Sequence, residues 1–162
     1  DHSKLSSKGL EWSMQISVTV DNQTVWSSRS TFLYRCNTGI ERSSKPLNTA
    51  QGDQQSWQLP SDLGRHYASI SGDYNPIHLS ALSAKLFGFK QAIAHGMWSK
   101  ARCLAAMDSL IPQAGYSVDV NFLKPVFLPS RVSFYSNLSD SQRQFSLFNA
   151  SAEQMHLQGY IS

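Results

Sequence analysis

The amino-acid sequence predicts an α+β domain in which one long helix lies against a curved antiparallel sheet. Apolar and small residues recur at helical spacing over residues 96–110, which predicts the longest helix of the chain. From Tyr116 onward, apolar and polar residues alternate instead, as is typical of strands. The predicted order is a strand, a loop with short helices, the long helix, and then three or more strands.

The N-terminal part of the chain predicts an extra β-hairpin. Residues 1–13 are polar without a clear period, whereas residues 14–20 alternate between apolar and polar side chains. Asp21-Asn22-Gln23 is a candidate turn, and residues 24–35 predict a second strand with several large apolar residues. Because an isolated hairpin is marginally stable in water, we expect this one to pack on another part of the protein.

A change in composition divides the chain. Residues 36–55 are rich in Gly, Ser and other polar residues and predict a linker. This linker separates the hairpin segment, residues 1–35, from the main domain, residues 56–162. Two explanations of the hairpin segment stay open at this point: it is the remnant of an upstream domain, or it extends the main sheet.

The main domain begins with short elements. Residues 56–59 predict a short strand, which is followed by a helical turn that leads to Tyr67. Residues 81–87 predict a helix that begins after the capping residue Ser80 and ends at Gly88.

The long helix is predicted over residues 96–110 and is stopped by Pro112. One stripe of this helix is predicted to pack against the sheet: Met97, Ala101, Leu104, Ala105 and Asp108. Strands are predicted at residues 118–122 and 126–134, and two more follow the turn at residues 137–142.

Composition limits the class of protein. The 162 residues suit one domain, or one domain with an appendage, and 41% hydrophobic residues suffice for a packed core. The formal charge of +3 comes without a Lys/Arg cluster, so we expect no nucleic-acid binding. No apolar run reaches membrane-spanning length and no signal-peptide core is present, so we expect no membrane insertion. Cys36 and Cys103 have no CxxC partner, which favours free thiols in the cytoplasm.

The strongest functional signal is a loop that brings Asp73, Asn75 and His78 within six residues. Gly72 and Pro76 bracket the turn, so the backbone there is predicted to be neither a regular helix nor a strand. A carboxylate and an imidazole on a short, stiff loop can share one water molecule. General acid–base catalysis on an uncharged substrate needs that arrangement.

Three motifs together resemble the MaoC-like, (R)-specific enoyl-CoA hydratases. They are Ser-Gly-Asp-Tyr-Asn-Pro-Ile-His at residues 71–78, Ala-His-Gly-Met at residues 94–97 and Val-Asn-Phe-Leu-Lys-Pro-Val-Phe-Leu-Pro at residues 120–129. The resemblance covers residues 56–162. It implies the hot-dog fold, in which an antiparallel sheet wraps a long central helix and the domains usually pair into dimers.

The resemblance implies a hydro-lyase that adds water reversibly to a trans-2-enoyl thioester and gives an (R)-3-hydroxyacyl thioester. Asp73 and His78 match the two acid–base residues of the family, which activate one water molecule. Gly96 matches the residue whose backbone N–H binds the thioester oxygen, a role that suits a helix N-terminus. Asn75 is expected to fix either the loop or the water, and His95 to orient the helix start. We expect an acyl-CoA type substrate, with no separate cofactor and no metal.

Other interpretations of these residues stay open. A lone Asp or His is usually structural, but the pair in register with Asn75 favours catalysis. Asp73, His78 and His95 could ligate iron or zinc, although their spacing fits no common ligand pattern. Two other functions are a hot-dog acyl-CoA thioesterase, which does not need this register, and a non-catalytic acyl-thioester binding module, which gains nothing from the pair.

The resemblance also bears on the hairpin and on assembly. The hairpin at residues 14–35 looks like the final two strands of another hot-dog half, although no second Asp-x-Asn-Pro-x-His motif is present. We expect a homodimer because the strands at residues 118–122 and 126–134 would leave edges that need a partner. The hairpin adds apolar surface, including Trp26 and Phe32, that its own neighbourhood would leave uncovered.

Overall fold

A computed structural model describes residues 2–40, 50–112, 115–138 and 143–162. Contacts between residues divide the chain into two compact units, Asp1–Asn48 and Thr49–Ser162. Each unit is described by itself. No helix among the described residues is long and apolar enough to cross a membrane.

The first unit is a three-stranded antiparallel sheet in the order β1-β2-β3. Its strands are β1 (His2–Ser6), β2 (Gly9–Val20) and β3 (Gln23–Tyr34). The prediction of a simple hairpin was therefore incomplete. Backbone pairing to β2 holds β1 in place, so this strand forms without the alternation of apolar residues that would have revealed it.

The turn between β2 and β3 lies where the sequence predicted it. Val20 pairs with Gln23, and the two residues between them, Asp21 and Asn22, have φ values of 48° and 61°. Positive φ at both central positions is typical of the type I′ turn, whose twist matches that of the paired strands. Asp and Asn tolerate this conformation better than most residues do.

The second unit contains a five-stranded sheet in the order β4-β6-β7-β8-β5, with every neighbouring pair antiparallel. Its strands are β4 (Asp53–Leu59), β5 (Val118–Phe122), β6 (Ser130–Leu138), β7 (Arg143–Asn149) and β8 (Met155–Ile161). β4 begins at Asp53, inside the stretch with linker-like composition. The edge strands are β4 and β5, so the expectation that residues 126–134 form an edge was wrong.

Residues 126–129 do not belong to β6, in contrast to the predicted strand at residues 126–134. They run beside the segment that precedes the longest helix: Ala94 N–H donates to Val126 O at 2.8 Å, and Leu128 N–H donates to Ala92 O at 2.8 Å. Pro125 and Pro129 flank this stretch and have no N–H to donate to a sheet. The stretch therefore ties the loop before the helix to the sheet.

The described residues of the second unit form four α-helices: α1 (Leu63–Ser71), α2 (Pro76–Leu79), α3 (Ala81–Lys85) and α4 (Gly96–Ala106). α4 is shorter than the predicted helix at residues 96–110. A 3₁₀ turn, Asp108–Leu110, follows it, and Ile111 is extended, with a ψ of 129°. The residue before a proline avoids the helical region, so Pro112 ends the helical backbone before Ile111.

The buried stripe of α4 also differs from the prediction. Ser99 and Cys103 are its buried residues, and Met107 continues the stripe with 1% exposure, whereas Met97 is exposed. Because serine is not apolar, the pattern of apolar residues did not indicate the face with Ser99 and indicated instead the face with Met97. This stripe packs into a core shared with the sheet, whose members include Trp57, Leu59, Val132, Phe134, Phe145, Leu147, Leu157 and Ile161.

Candidate active site

The predicted loop lies between α1 and α2. Gly72 caps α1 with φ at 74° and donates its N–H to Ala68 O at 2.9 Å. This left-handed conformation favours glycine. Asn75 N–H donates to Asp73 Oδ1 at 3.2 Å, and Ile77 N–H donates to Asn75 Oδ1 at 3.3 Å. Asn75 is thus the N-cap of α2, and the chain reverses tightly enough to bring Asp73 back toward His78.

A close approach between α1 and α2 supports this reversal. A Cβ on Gly64 would collide with the main-chain oxygen of His78, so only glycine permits this packing. The sequence analysis missed Gly64. The one available signal was a glycine inside a helix, which by itself is weak.

His78 is buried, with 8% exposure. Its Nδ1 lies 2.7 Å from Ile93 O. Because a carbonyl oxygen only accepts, Nδ1 carries the proton and Nε2 keeps a lone pair. The pKa of His78 is lowered chiefly by burial and also by the neighbouring His95, whereas the bond to Ile93 and the Asp73 carboxylate act in the opposite direction. His78 is therefore neutral at pH 7 and suited to act as a base.

His95 is also buried, with 3% exposure. Its ring stacks on His78 with centroids 3.7 Å apart and planes 24° apart. Its Nε2–H donates to the main-chain oxygen of Asp73 at 2.9 Å. The side chain makes no capping hydrogen bond to α4, although His95 is the N-cap residue.

The Asp73 carboxylate completes the group. Its side chain is 55% exposed, and Oδ2 lies 3.8 Å from His95 Nε2. The structure thus brings Asp73, His78 and His95 together, with one ligating atom of each within 4.8 Å of the others. An exposed carboxylate beside a buried, neutral imidazole can hold and deprotonate a water molecule.

Gly96 is the first residue of α4. The N–H groups of the first helical turn have no acceptor within the helix, and they carry the positive end of the helix dipole. A Cβ on Gly96 would lie 3.2 Å from the Phe122 ring. The Phe122 ring therefore lies beside Gly96, which is itself exposed. The sequence analysis missed this contact because β5 is distant in sequence.

The same three side chains could also hold a metal ion, since each offers a ligating atom and these atoms lie within 4.8 Å of one another. A metal lies close to the ring plane of each histidine that binds it. Because His78 and His95 are stacked, an ion in the plane of one ring would lie well outside the plane of the other. The observed arrangement fits an acid–base pair better than a metal centre.

Comparison with known proteins adds a family. The family described as MaoC like domain matches residues 42–158. The chain is 33% identical over 159 residues to 3-hydroxyacyl-thioester dehydratase X of Mycobacterium tuberculosis, covering 93% of this chain and 55% of that protein. The chain thus spans about half the length of this curated relative.

Solved structures show the same fold. A crystal structure of HtdX from Mycobacterium tuberculosis matches with a TM-score of 0.81 at 30% identity, covering 99% of this chain and 65% of that one. The R-hydratase PhaJ1 of Pseudomonas aeruginosa matches with a TM-score of 0.54 at 27% identity, covering 71% of this chain and 79% of that one. The predicted α+β hot-dog fold is confirmed. The longest described helix, α4, has 11 residues and is shorter than the predicted central helix.

Proposed function

Because this chain belongs to the MaoC-like domain family, we propose that it catalyses the reversible addition of water to a 2-enoyl thioester. The observation that carries the proposal is the exposed carboxylate of Asp73 beside the buried His78, whose Nδ1–H is bound to Ile93 O and whose Nε2 keeps a lone pair. The names of the relatives support it, since one is a 3-hydroxyacyl-thioester dehydratase and another an R-hydratase.

In the proposed reaction, Asp73 and His78 hold one water molecule. His78 Nε2 takes a proton from this water while the water oxygen forms a bond to the β-carbon of the substrate. The electron pair of the double bond moves toward the thioester carbonyl and leaves negative charge on its oxygen. The proton then reaches the α-carbon, so the elements of one water are added. The reverse sequence is dehydration.

The negative charge on the thioester oxygen needs stabilisation. We assign this to Gly96, whose N–H lies at the N-terminus of α4. A fixed N–H and the helix dipole stabilise a developing oxyanion without reorganising in the reaction. Asn75 acts indirectly: it caps α2 and thereby stabilises the reversal of the chain between Asp73 and His78.

We also propose that water adds in syn fashion to give the (R) alcohol. Both acid–base groups belong to one cluster, so the oxygen and the α-proton would reach the same face of the double bond. The R-hydratase among the structural relatives supports this stereochemistry.

Incubation with crotonyl-CoA, followed by chiral separation of the product, tests this function. The expected product is (R)-3-hydroxybutyryl-CoA, formed at an unchanged rate in the presence of a chelator because the proposed chemistry uses no metal. Release of free CoA without the hydroxyacyl product would favour the thioesterase. Binding of the thioester without turnover would favour the binding module, and loss of activity on chelation would favour a metal centre.

We propose that two copies of the chain pair. The first unit exposes apolar side chains, including Trp12 and Trp26, and β5 is an edge of the five-stranded sheet. Both features attract a partner. Light scattering at micromolar concentration should report two chains, and a fully active monomer would contradict the proposal.

We further propose that the protein works in a reducing compartment, the cytoplasm by preference. Cys36 is exposed and Cys103 is buried, and both are free thiols. Burial raises the pKa of the Cys103 thiol to about 12, so that sulfur is not a nucleophile at neutral pH. Full activity in excess dithiothreitol is the expected outcome, because no described cysteine needs to be oxidised.

A further inference from the structure

We infer that His95 is a positioning residue that holds Asp73 and His78 in one arrangement. The inference rests on the proposed function and assigns to His95 a role different from orienting the start of α4. The side chain makes no capping hydrogen bond to that helix. Its contacts run instead to the two proposed acid–base residues.

The first contact holds the Asp73 loop. His95 Nε2–H donates to the main-chain oxygen of Asp73 at 2.9 Å, across a separation of 22 residues. Because the bond is made to the main chain, the loop is held while the carboxylate stays 55% exposed. The carboxylate, whose Oδ1 accepts the Asn75 N–H, therefore remains accessible to water.

The second contact fixes the plane of the His78 ring. Nδ1 of His78 has one hydrogen bond, to Ile93 O at 2.7 Å, and a single bond leaves the ring free to tilt about that direction. The face of His95 lies 3.7 Å from the His78 ring, centroid to centroid, and removes this freedom. The lone pair on Nε2 of His78 consequently points in one direction.

Stability alone does not account for a histidine at this position. Nδ1 of His95 is buried and has no hydrogen-bond partner among the residues that the structure describes, and an unsatisfied buried polar atom costs free energy. The Tyr67 ring also contacts this imidazole, with centroids 4.9 Å apart, so the site would accept an apolar ring. What a phenyl ring lacks is the N–H that reaches the Asp73 loop.

Two substitutions separate the two contacts. His95→Phe keeps an aromatic ring against His78 and removes the N–H, whereas His95→Gln keeps an N–H donor and removes the ring. We expect each to lower kcat for crotonyl-CoA hydration about 10²-fold, since small misplacements of reacting groups cost that much. KM should change by only a few-fold, and the Tm of His95→Phe should equal or exceed that of the wild type.

The pH profile gives a readout that a structural role would not move. Burial lowers the pKa of His78 most and the neighbouring His95 lowers it further, whereas the hydrogen bond to Ile93 O and the Asp73 carboxylate raise it. The acid limb of kcat/KM should therefore move to higher pH in His95→Phe, because the proposed base then gains its proton at higher pH. General loss of folded protein would instead scale the whole profile down.

Double mutants test whether His95 acts through its neighbours. In an Asp73→Asn background, His95→Phe should reduce the residual rate by less than about three-fold, because groups that act as a unit lose activity non-additively. Full multiplication of the two losses would overturn the inference. So would wild-type kcat in both single variants, or a fall in Tm of His95→Phe that accounts for its lost activity.

The same measurements distinguish failure of the proposed function from failure of the inference about His95. Absence of hydration by the wild-type protein would sink that function and this inference with it. An active wild type that loses activity in Asp73→Asn and keeps it in both His95 variants would sink only the inference. His95→Gln serves as the second variant where His95→Phe does not fold.

Discussion

Strands β2 and β7 belong to different units of this chain, and both place apolar side chains at alternate positions. In β2 these side chains are between 37% and 54% exposed: Leu10, Trp12, Met14, Ile16, Val18 and Val20. In β7 the corresponding residues, Phe145 and Leu147, are 1% and 0% exposed. Alternation in both strands therefore coexists with opposite burial, because alternation specifies a strand and its two faces but not the element that covers one of them.

The covering element explains the difference. In the second unit, Cys103 and Met107 share a core with Phe145 and Leu147. Among the described residues 2–40 of the first unit, no helix is present. The proposed catalysis depends on this burial, because burial lowers the pKa of His78 and keeps its imidazole neutral. The exposed sheet of the first unit would not bury an imidazole in this way. The comparison predicts that activity depends on the second unit and is indifferent to single changes in the first.

The largest expected effect is on activity. Asp73→Asn and His78→Ala should each lower kcat about 10²–10⁴-fold, because each removes one of two groups that act on the same water. The double variant should be little worse than either single one. Phe32→Ala, on the exposed face of the first unit, is the control and should keep wild-type kcat. A large loss of kcat in the control would break the comparison between the units.

A matched pair of phenylalanines tests burial directly. Phe134 is fully buried and stacks on Trp57, whereas Phe32 is 42% exposed and stacks on Trp12. Phe134→Ala should lower the free energy of unfolding by about 3–5 kcal/mol, because it leaves a cavity. Phe32→Ala should lower it by about 0.5–1.5 kcal/mol, the value of an aromatic pair. Urea denaturation of both variants measures the difference, and equal losses would show that the face of the first unit that carries Phe32 and Trp12 is covered in solution.

Acidification should weaken the second unit. Burial lowers the pKa of His78 and of His156 below their ordinary value of 6.5. Between the lowered and the ordinary pKa, the unfolded chain binds more protons, so the free energy of unfolding falls as pH drops below 6.5 and has no such term above it. Urea midpoints at pH 7.5 and pH 5.5 measure this. His156→Gln, which does not titrate, should show a shallower dependence on pH.

The smallest expected effect concerns Gly96. Its missing Cβ would lie 3.2 Å from the ring of Phe122, which is 53% exposed and therefore able to move. Gly96→Ala should cost about 1 kcal/mol or less in stability, with a few-fold fall in kcat as the helix start shifts. In the double variant Gly96→Ala/Phe122→Leu, the smaller leucine side chain replaces the ring, and part of the kcat should be restored. A rate that is not restored would show that the Phe122 contact is not the cause.

The sequence by itself determined the features that depend on neighbouring residues. Gly72 and Pro76 predicted the turn that carries the candidate acid–base residues. Glycine widens the range of backbone conformations at its own position, and proline restricts it. Alternation predicted strands, and three motifs predicted the family and with it the hot-dog fold. These are local signals, and the structure follows them.

Only the tertiary structure decided the features that join distant residues. The bond from His95 to Asp73 spans 22 residues, and the bond from His78 to Ile93 spans 15. Three other features also join residues that are distant in sequence: the buried stripe of α4, the approach of α2 to Gly64 and the contact of Phe122 with Gly96. Each depends on the combined energy of many weak contacts that form when separate elements pack. The residues of one short stretch cannot predict that energy, because most of the contacts are made with other parts of the chain.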